Sequence, residues 1–127
     1  QMLKGLTSKK IGIDHAKILV LGFTFKGNCP DVRNTKIIDI INELREFDVQ
    51  VDVYDSWASK VDVFEQYAIN LVDGYPASNM YDGIIVAVDH HEFKELGIKR
   101  IKSFGKENHV VYDLKHIFGS ADSDLRL

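Results

Sequence analysis

The sequence predicts an α/β domain built on an open, mainly parallel, Rossmann-like sheet with helices on both faces. Three observations carry this expectation. Residues 16–21 (AKILVL) and 83–88 (GIIVAV) are continuous apolar runs, the pattern of strands buried on both faces in parallel sheets. Residues 36–47 place Ile37, Ile38, Ile41, Leu44 and Phe47 on one face at helical spacing, with Ile40 beside them. Strand-like and helix-like stretches then alternate along the chain, without a repeat or low-complexity segment, which implies parallel strands joined by right-handed crossovers.

Taken in order, residues 1–15 are mixed and weakly periodic and read as the end of a helix from a preceding domain plus a linker; their apolar members Met2, Leu3 and Leu6 are then expected to stand exposed or to pair with another molecule. Residues 16–21 form the first strand, closed by Gly22. Residues 22–35 are a loop marked by Gly27, Asn28, Pro30, Asp31 and Asn34. The helix over 36–47 is capped by Asn34 or Thr35. Residues 49–54 alternate as a strand, with Val49, Val51 and Val53 opposed to Gln50, Asp52 and Tyr54. A shorter helix over 59–67 uses Val61, Phe64 and Tyr67 as its apolar positions, and Leu71 and Val72 form a short strand. After the run at 83–88, helical turns follow at 91–96 and 99–104. Residues 110–112 form the last strand, and the polar segment from 119 to 127 frays. The domain proper is therefore placed at 16–119, with a tail at 120–127.

The length of 127 residues suits one domain with a core of its own. A net charge of −3 gives no global reason to expect nucleic acid or anionic lipid as a partner. The lone Cys29 excludes a disulfide within the chain and makes a cytoplasmic setting the default. No run approaches the ~20 apolar residues of a membrane span, and no secretory signal opens the sequence. The start at Gln1 reads as that of a fragment.

In such a sheet ligands bind beyond the carboxyl ends of the strands, which directs attention to the loops at 22–35, 55–58, 89–92 and 113–119. The first of these, GFTFKGNCPDVRNT, precedes a helix, where a phosphate site is expected. It lacks the G-x-G-x-x-G dinucleotide pattern. Gly22 and Gly27 have the spacing of a phosphate-cradling loop, but Asn28 and Cys29 stand where Lys and Ser or Thr are needed. An anion here must meet side chains, and Lys26 and Arg33 are available; the alternative is that both are solvated surface cations. Cys29 is a small residue beside Pro30 or a nucleophile, although no His is near it in sequence to act as its base. His90 and His91 point different ways as neighbours and have no partners at metal-ligand spacing, so no metal site is expected; His90 serves as a polar cap for the next helix or as a contact at the edge of a site. Lys115, at the end of the last strand with Asp113 and His116, either points into the crevice or lies on the surface. A magnesium-binding receiver domain is excluded, because no acidic pair follows the first strand at Leu21-Gly22-Phe23.

Residues 21–55 carry a strand, Gly22, the pair Phe25-Lys26, Asp31, Arg33, a long helix and a strand ending Tyr54-Asp55. This pattern resembles the C-terminal, UDP-binding domain of the UDP-glucose/GDP-mannose dehydrogenase family. AVDHHEF at 87–93 and VVYDLKHIF at 110–118 are similar to further family segments, so the match runs from about residue 17 to 119. The stretch Asn28-Cys29-Pro30-Asp31 resembles the branch that oxidises UDP-N-acetylhexosamines. The resemblance implies an oxidoreductase that converts the C6 alcohol of a UDP-sugar to a carboxylate with two NAD, in surface or capsule polysaccharide synthesis of the Vi type. It implies that Phe25 and Lys26 contact the substrate, with Lys26 assisting near the sugar, that Lys115 helps to hold the substrate where the family usually has arginine, and that Arg33 reaches NAD. The catalytic cysteine and the NAD fingerprint belong to other domains of a homo-oligomeric parent; Cys29 does not match that cysteine. The alternative is a stand-alone nucleotide-binding or regulatory module of the same fold.

Overall fold

The computed structural model describes residues 1–126. Five parallel strands form one sheet in the order β2-β1-β3-β4-β5, with β1 Lys17–Leu21, β2 Gln50–Tyr54, β3 Tyr81–Val86, β4 Gly105–Asp113 and β5 Leu125–Arg126. Helices α1 (Met2–Ser8), α2 (Ile37–Arg45), α3 (Lys60–Tyr67), α4 (His91–Leu96) and α5 (Ile98–Ser103) complete it. The expected fold class is the observed one.

The strand alternation builds two cores, one per face. Ile18, Val20, Ile85, Val110 and Tyr112 point toward α1, α2 and α3. Leu19, Leu21, Ile84 and Val86 point the other way, toward Phe93 of α4 and Ile101 of α5. Both faces of β1 and β3 are thus covered, which is why the segments 18–21 and 84–86 within them are wholly apolar. From β1 the chain crosses to β2 on one side and then returns to β3 on the other. The carboxyl ends of β1 and β3 therefore flank a switch point, where the loops diverge and leave a crevice.

Several local expectations differ from the structure. Residues 1–15 do not hang free of the sheet. Met2 and Leu6 are buried in the core between α1 and the sheet, and Gly83 makes room for Met2: a Cβ there would lie 2.8 Å from Met2 Sδ. A seven-residue helix with one buried stripe gives too weak a period to read from sequence. The tail expected to fray instead adds β5, so far as the described residues reach; Leu127 lies outside them. Asp124 anchors it, donating its N–H to the Val111 carbonyl, accepting the Val111 N–H on its carboxylate, and pairing with Lys9.

Helix α2 ends at Arg45, so Phe47 lies past it and is exposed. Neither candidate cap occupies the N-cap position, which falls on Lys36 and carries no side-chain cap hydrogen bond; Thr35, one residue earlier, accepts the Ile37 N–H on its hydroxyl. Helix α3 is capped by Ser59, which accepts the Asp62 N–H, but it is turned relative to expectation. Val63 is its buried residue, while Val61 and Phe64 face solvent. Two apolar stripes compete on that helix, 61/64 and 63/67, and packing against the sheet selects the second. Leu71 makes a single bridge to Val53 in place of a strand.

Because Leu6 is fully buried, Leu6→Ala is expected to lower the unfolding free energy by about 2–5 kcal/mol, read from urea titration. Phe64→Ser on the exposed stripe is expected to shift it by less than about 0.5 kcal/mol. An equally small effect at Leu6 would mean that α1 is not part of the cooperative unit.

Candidate functional site

The loops after β1, β2 and β3 meet at the carboxyl edge of the sheet around two buried side chains, Asp55 and His90. Asp55 is the residue after β2. Its Oδ2 accepts the N–H of Phe23 (2.6 Å) and of Thr24 (3.1 Å) from the loop after β1. Its Oδ1 accepts the N–H of Trp57 (2.8 Å) and Ala58 (3.1 Å) from its own loop. His90, from the loop after β3, places Nε2 2.9 Å from Asp55 Oδ2, and both side chains are fully excluded from solvent. The other ring nitrogen, Nδ1, accepts the N–H of Asn28 at 3.0 Å. Asn28 Oδ1 in turn accepts the N–H of His91 at 2.9 Å. The Trp57 ring lies stacked over the His90 ring, with centroids 6.1 Å apart.

Two glycines allow the first loop to come this close. Gly22 has φ +101°, and a Cβ there would sit 2.6 Å from Val88 Cβ. At Gly27 a Cβ would lie 2.4 Å from Asp89 Oδ1 and 2.6 Å from the Asp89 carbonyl oxygen. The loop after β1 is pressed against the loop after β3 at both points, which closes the floor of the crevice. Phe25 N–H donates to the Asp31 carbonyl at 2.7 Å and so narrows the loop tip.

On this frame the loop tip displays its functional candidates outward. Phe25 is 53% exposed and Lys26 is exposed beside it. The Lys26 charge acts on Asp31, whose carboxyl is held below its ordinary value chiefly by the Arg33 guanidinium hydrogen bond. Arg33 Nε lies 3.0 Å from Asp31 Oδ1, and its own pKa is raised by the same contact. This pair is exposed, so it holds the guanidinium in place at little energetic consequence. Cys29 is partly buried on the far flank of the same loop.

Lys115 is exposed after β4. It stands two strands from the loop after β1, about 10 Å by strand spacing. Its loop has an anchor of its own kind: the buried Asp113 carboxylate accepts the N–H of Ile117 (3.1 Å) and Phe118 (2.9 Å). Lys115 also borders a cavity of about 370 Å³ between α1 and α2, floored by Ile37, Ile40, Ile85 and Tyr112 and rimmed by Lys36. The structure thus puts Phe25, Lys26 and Arg33 on one loop and Lys115 on the same edge of the sheet but apart from them.

The two histidines separate, as their adjacency requires. His91 points to solvent and pairs with Glu95 one turn on (3.0 Å). His90 precedes α4, but its side chain makes no cap hydrogen bond; it turns under the loop after β1. Among the described residues no group of three or more His, Cys, Asp or Glu is placed to hold a metal ion. The contacts that Thr24, Asp55, Trp57 and Asp113 make here carry no mark in the sequence strong enough to single them out. Asp55 and Asp113 do share a signal, an acidic residue that follows a tyrosine at the carboxyl end of a strand, where a carboxylate can collect N–H groups from the loop that follows.

An open parallel sheet with exposed cations beside a switch-point crevice is the architecture of a nucleotide-binding α/β domain. The chain belongs to the UDP-glucose/GDP-mannose dehydrogenase family: residues 19–120 match the model of that family's UDP binding domain. It is 49% identical over 127 residues to a UDP-N-acetyl-D-glucosamine 6-dehydrogenase of Pseudomonas aeruginosa and 45% identical over the same length to one of Salmonella typhi; each match covers all of this chain and 30% of the relative. The chain thus spans about a third of the length of these curated relatives. Among solved structures, a UDP-D-ManNAc dehydrogenase from Pyrococcus horikoshii shares the fold with a TM-score of 0.74 at 23% identity, over 93% of this chain and 26% of that one.

Burial alone pushes the Asp55 carboxyl upward, but the hydrogen bonds from His90, Phe23 and Trp57 outweigh it and the pKa lies below the ordinary value. A folded pKa below the unfolded one stabilises the fold above the unfolded carboxylate's value of about 4, and that stabilisation is lost as the pH falls through the folded value. Asp55→Asn keeps the shape but turns an amide donor toward N–H donors. It is expected to cost about 2–4 kcal/mol at pH 7 and to flatten the acid limb of a urea-midpoint-against-pH curve. An unchanged acid limb would remove Asp55 from this role.

Proposed function

We propose that this chain is the UDP-sugar-binding C-terminal domain of an NAD-dependent nucleotide-sugar 6-dehydrogenase, which oxidises the C6 alcohol of a UDP-N-acetylhexosamine to the uronate, and that the chain by itself is not catalytic. The observation that carries the reading is the family match over residues 19–120, which contains the exposed Lys26 loop. The names of the relatives at 49% and 45% identity favour UDP-N-acetyl-D-glucosamine as the sugar. The parent is a cytoplasmic homo-oligomer in polysaccharide biosynthesis, and its other domains supply the second wall of the cleft, the catalytic cysteine and most of the NAD site.

Within that cleft Phe25 packs against the substrate and Lys26 presents an ammonium to its sugar end. Once the cleft closes and water leaves, a fixed cation acts strongly on a phosphate or on charge that develops on oxygen. On the open chain the same ammonium is hydrated, so UDP-sugar binding by the chain alone is weak. Lys115 adds a point charge to the substrate side, without the two-pronged geometry of arginine. Toward NAD, which accepts the hydride, this chain offers Arg33. Its guanidinium has 78% of its side chain exposed, and its pair with Asp31 is weak enough to exchange for a cofactor phosphate.

Turnover of UDP-GlcNAc, UDP-GalNAc, UDP-ManNAc and UDP-glucose by the full-length parent, followed as NADH, tests this. UDP-GlcNAc is expected to be oxidised, and Lys26→Ala to lower kcat/KM by about a hundredfold or more. If no UDP-sugar is oxidised, the dehydrogenase reading fails; if Lys26→Ala matches wild type, the site assignment fails.

A further inference from the structure

We infer that His90 is a positioning residue: its neutral imidazole, with the proton on Nε2, is the template on which the loop carrying Phe25 and Lys26 is held. The hydrogen bonds around the ring dictate this state. Asn28 N–H is a donor and can give its proton only to an unprotonated Nδ1. The ring proton is therefore on Nε2, where it meets Asp55 Oδ2, an acceptor. Thr24 Oγ1, 3.3 Å from Nε2, has its own proton directed at the Lys26 carbonyl and is also an acceptor toward the ring. Every contact thus agrees with one tautomer and none with the other. A proton on Nδ1 would face the Asn28 N–H across 3.0 Å.

The anchors bracket the functional tip. Thr24 on one side and Asn28 on the other both meet His90, and the residues between them are Phe25, Lys26 and Gly27. Asn28 holds a left-handed φ of +54°, a conformation that asparagine tolerates better than other side-chain-bearing residues. Two contacts fix it in place: its N–H donates to His90 Nδ1 and its Oδ1 accepts the His91 N–H. Trp57 covers the ring from outside and Phe93 lies against it, with centroids 5.5 Å apart, so water does not compete for either nitrogen. His90 itself is fully buried and cannot touch a substrate; it acts through the backbone of the loop. This role rests on the proposed function only for its consequence, the presentation of Lys26, since the tautomer and the loop geometry stand without any ligand.

The experiment uses the chain itself, labelled with 15N. Long-range 1H–15N spectra of wild type read the ring directly and are expected to show His90 protonated at Nε2 and bare at Nδ1. Two near-isosteric variants then divide the two contacts. His90→Asn keeps an acceptor near the Nδ1 position, whereas His90→Gln keeps a donor near Nε2 for Asp55 and leaves the Asn28 N–H without its acceptor. Amide exchange at Asn28 is expected to stay near wild type in His90→Asn and to quicken by about tenfold in His90→Gln, the loss of a single buried hydrogen bond. With UDP as probe, shifts at Lys26 are expected to survive in His90→Asn and to shrink in His90→Gln. A proton found on Nδ1 overturns the inference whether or not either variant folds, and so does equal exchange at Asn28 in both folded variants. Wild type that shows the expected ring and exchange but no response to UDP, even at concentrations that populate a weak complex, counts against the binding reading alone.

Discussion

A buried carboxylate cannot be left without donors, and Asp55 meets that demand by collecting four backbone N–H groups and an imidazole N–H from three separate loops. Those loops follow β1, β2 and β3, strands that lie side by side in the sheet. The crevice at the switch point is therefore not simply the gap that the topology leaves. It is a gap whose three rims are drawn to one oxygen pair. Its close glycine contacts, the turn over Phe25 and Lys26 and the placement of Trp57 all depend on that convergence.

This arrangement separates buried charge from exposed charge. The buried polar groups, Asp55, His90 and Asp113, are satisfied within the chain by hydrogen bonds to backbone, as a low-dielectric site requires. The cations Lys26, Arg33 and Lys115 stay outside in water, where they cost little in the open domain. They gain strength only when another surface excludes that water.

The ends of the chain contribute to the frame as well. Helix α1 covers one face of β3 and β4, and β5 continues the sheet beyond β4. Lys9, after α1, both pairs with Asp124 and donates to the His109 carbonyl, so the first and last segments lock each other onto the same strand. The loop that bears Lys115 runs between β4 and β5, and it is held at its start by Asp113 and beyond its end by this lock.

Reading the sequence alone located the strands β1 and β3, the helix α2 and the loops that matter, because burial on both faces and a strong helical period leave direct marks on residue order. It also singled out Phe25-Lys26, Arg33, Tyr54-Asp55, His90 and Lys115. What it could not assign was phase and partnership. Helix α3 had two apolar stripes of similar quality, and only contact with the sheet selected Val63. Met2 and Leu6 could have served a neighbouring molecule as well as this core. His90 and Asp55 are 35 residues apart, and nothing in their spacing declares that they meet. The sequence by itself determined an α/β domain with a cationic loop after its first strand, since those properties are local and periodic. The tertiary structure decided which side chains turn inward to tie the loops together and which turn outward to solvent, because hydrogen bonding across strands depends on distances that only the folded sheet creates.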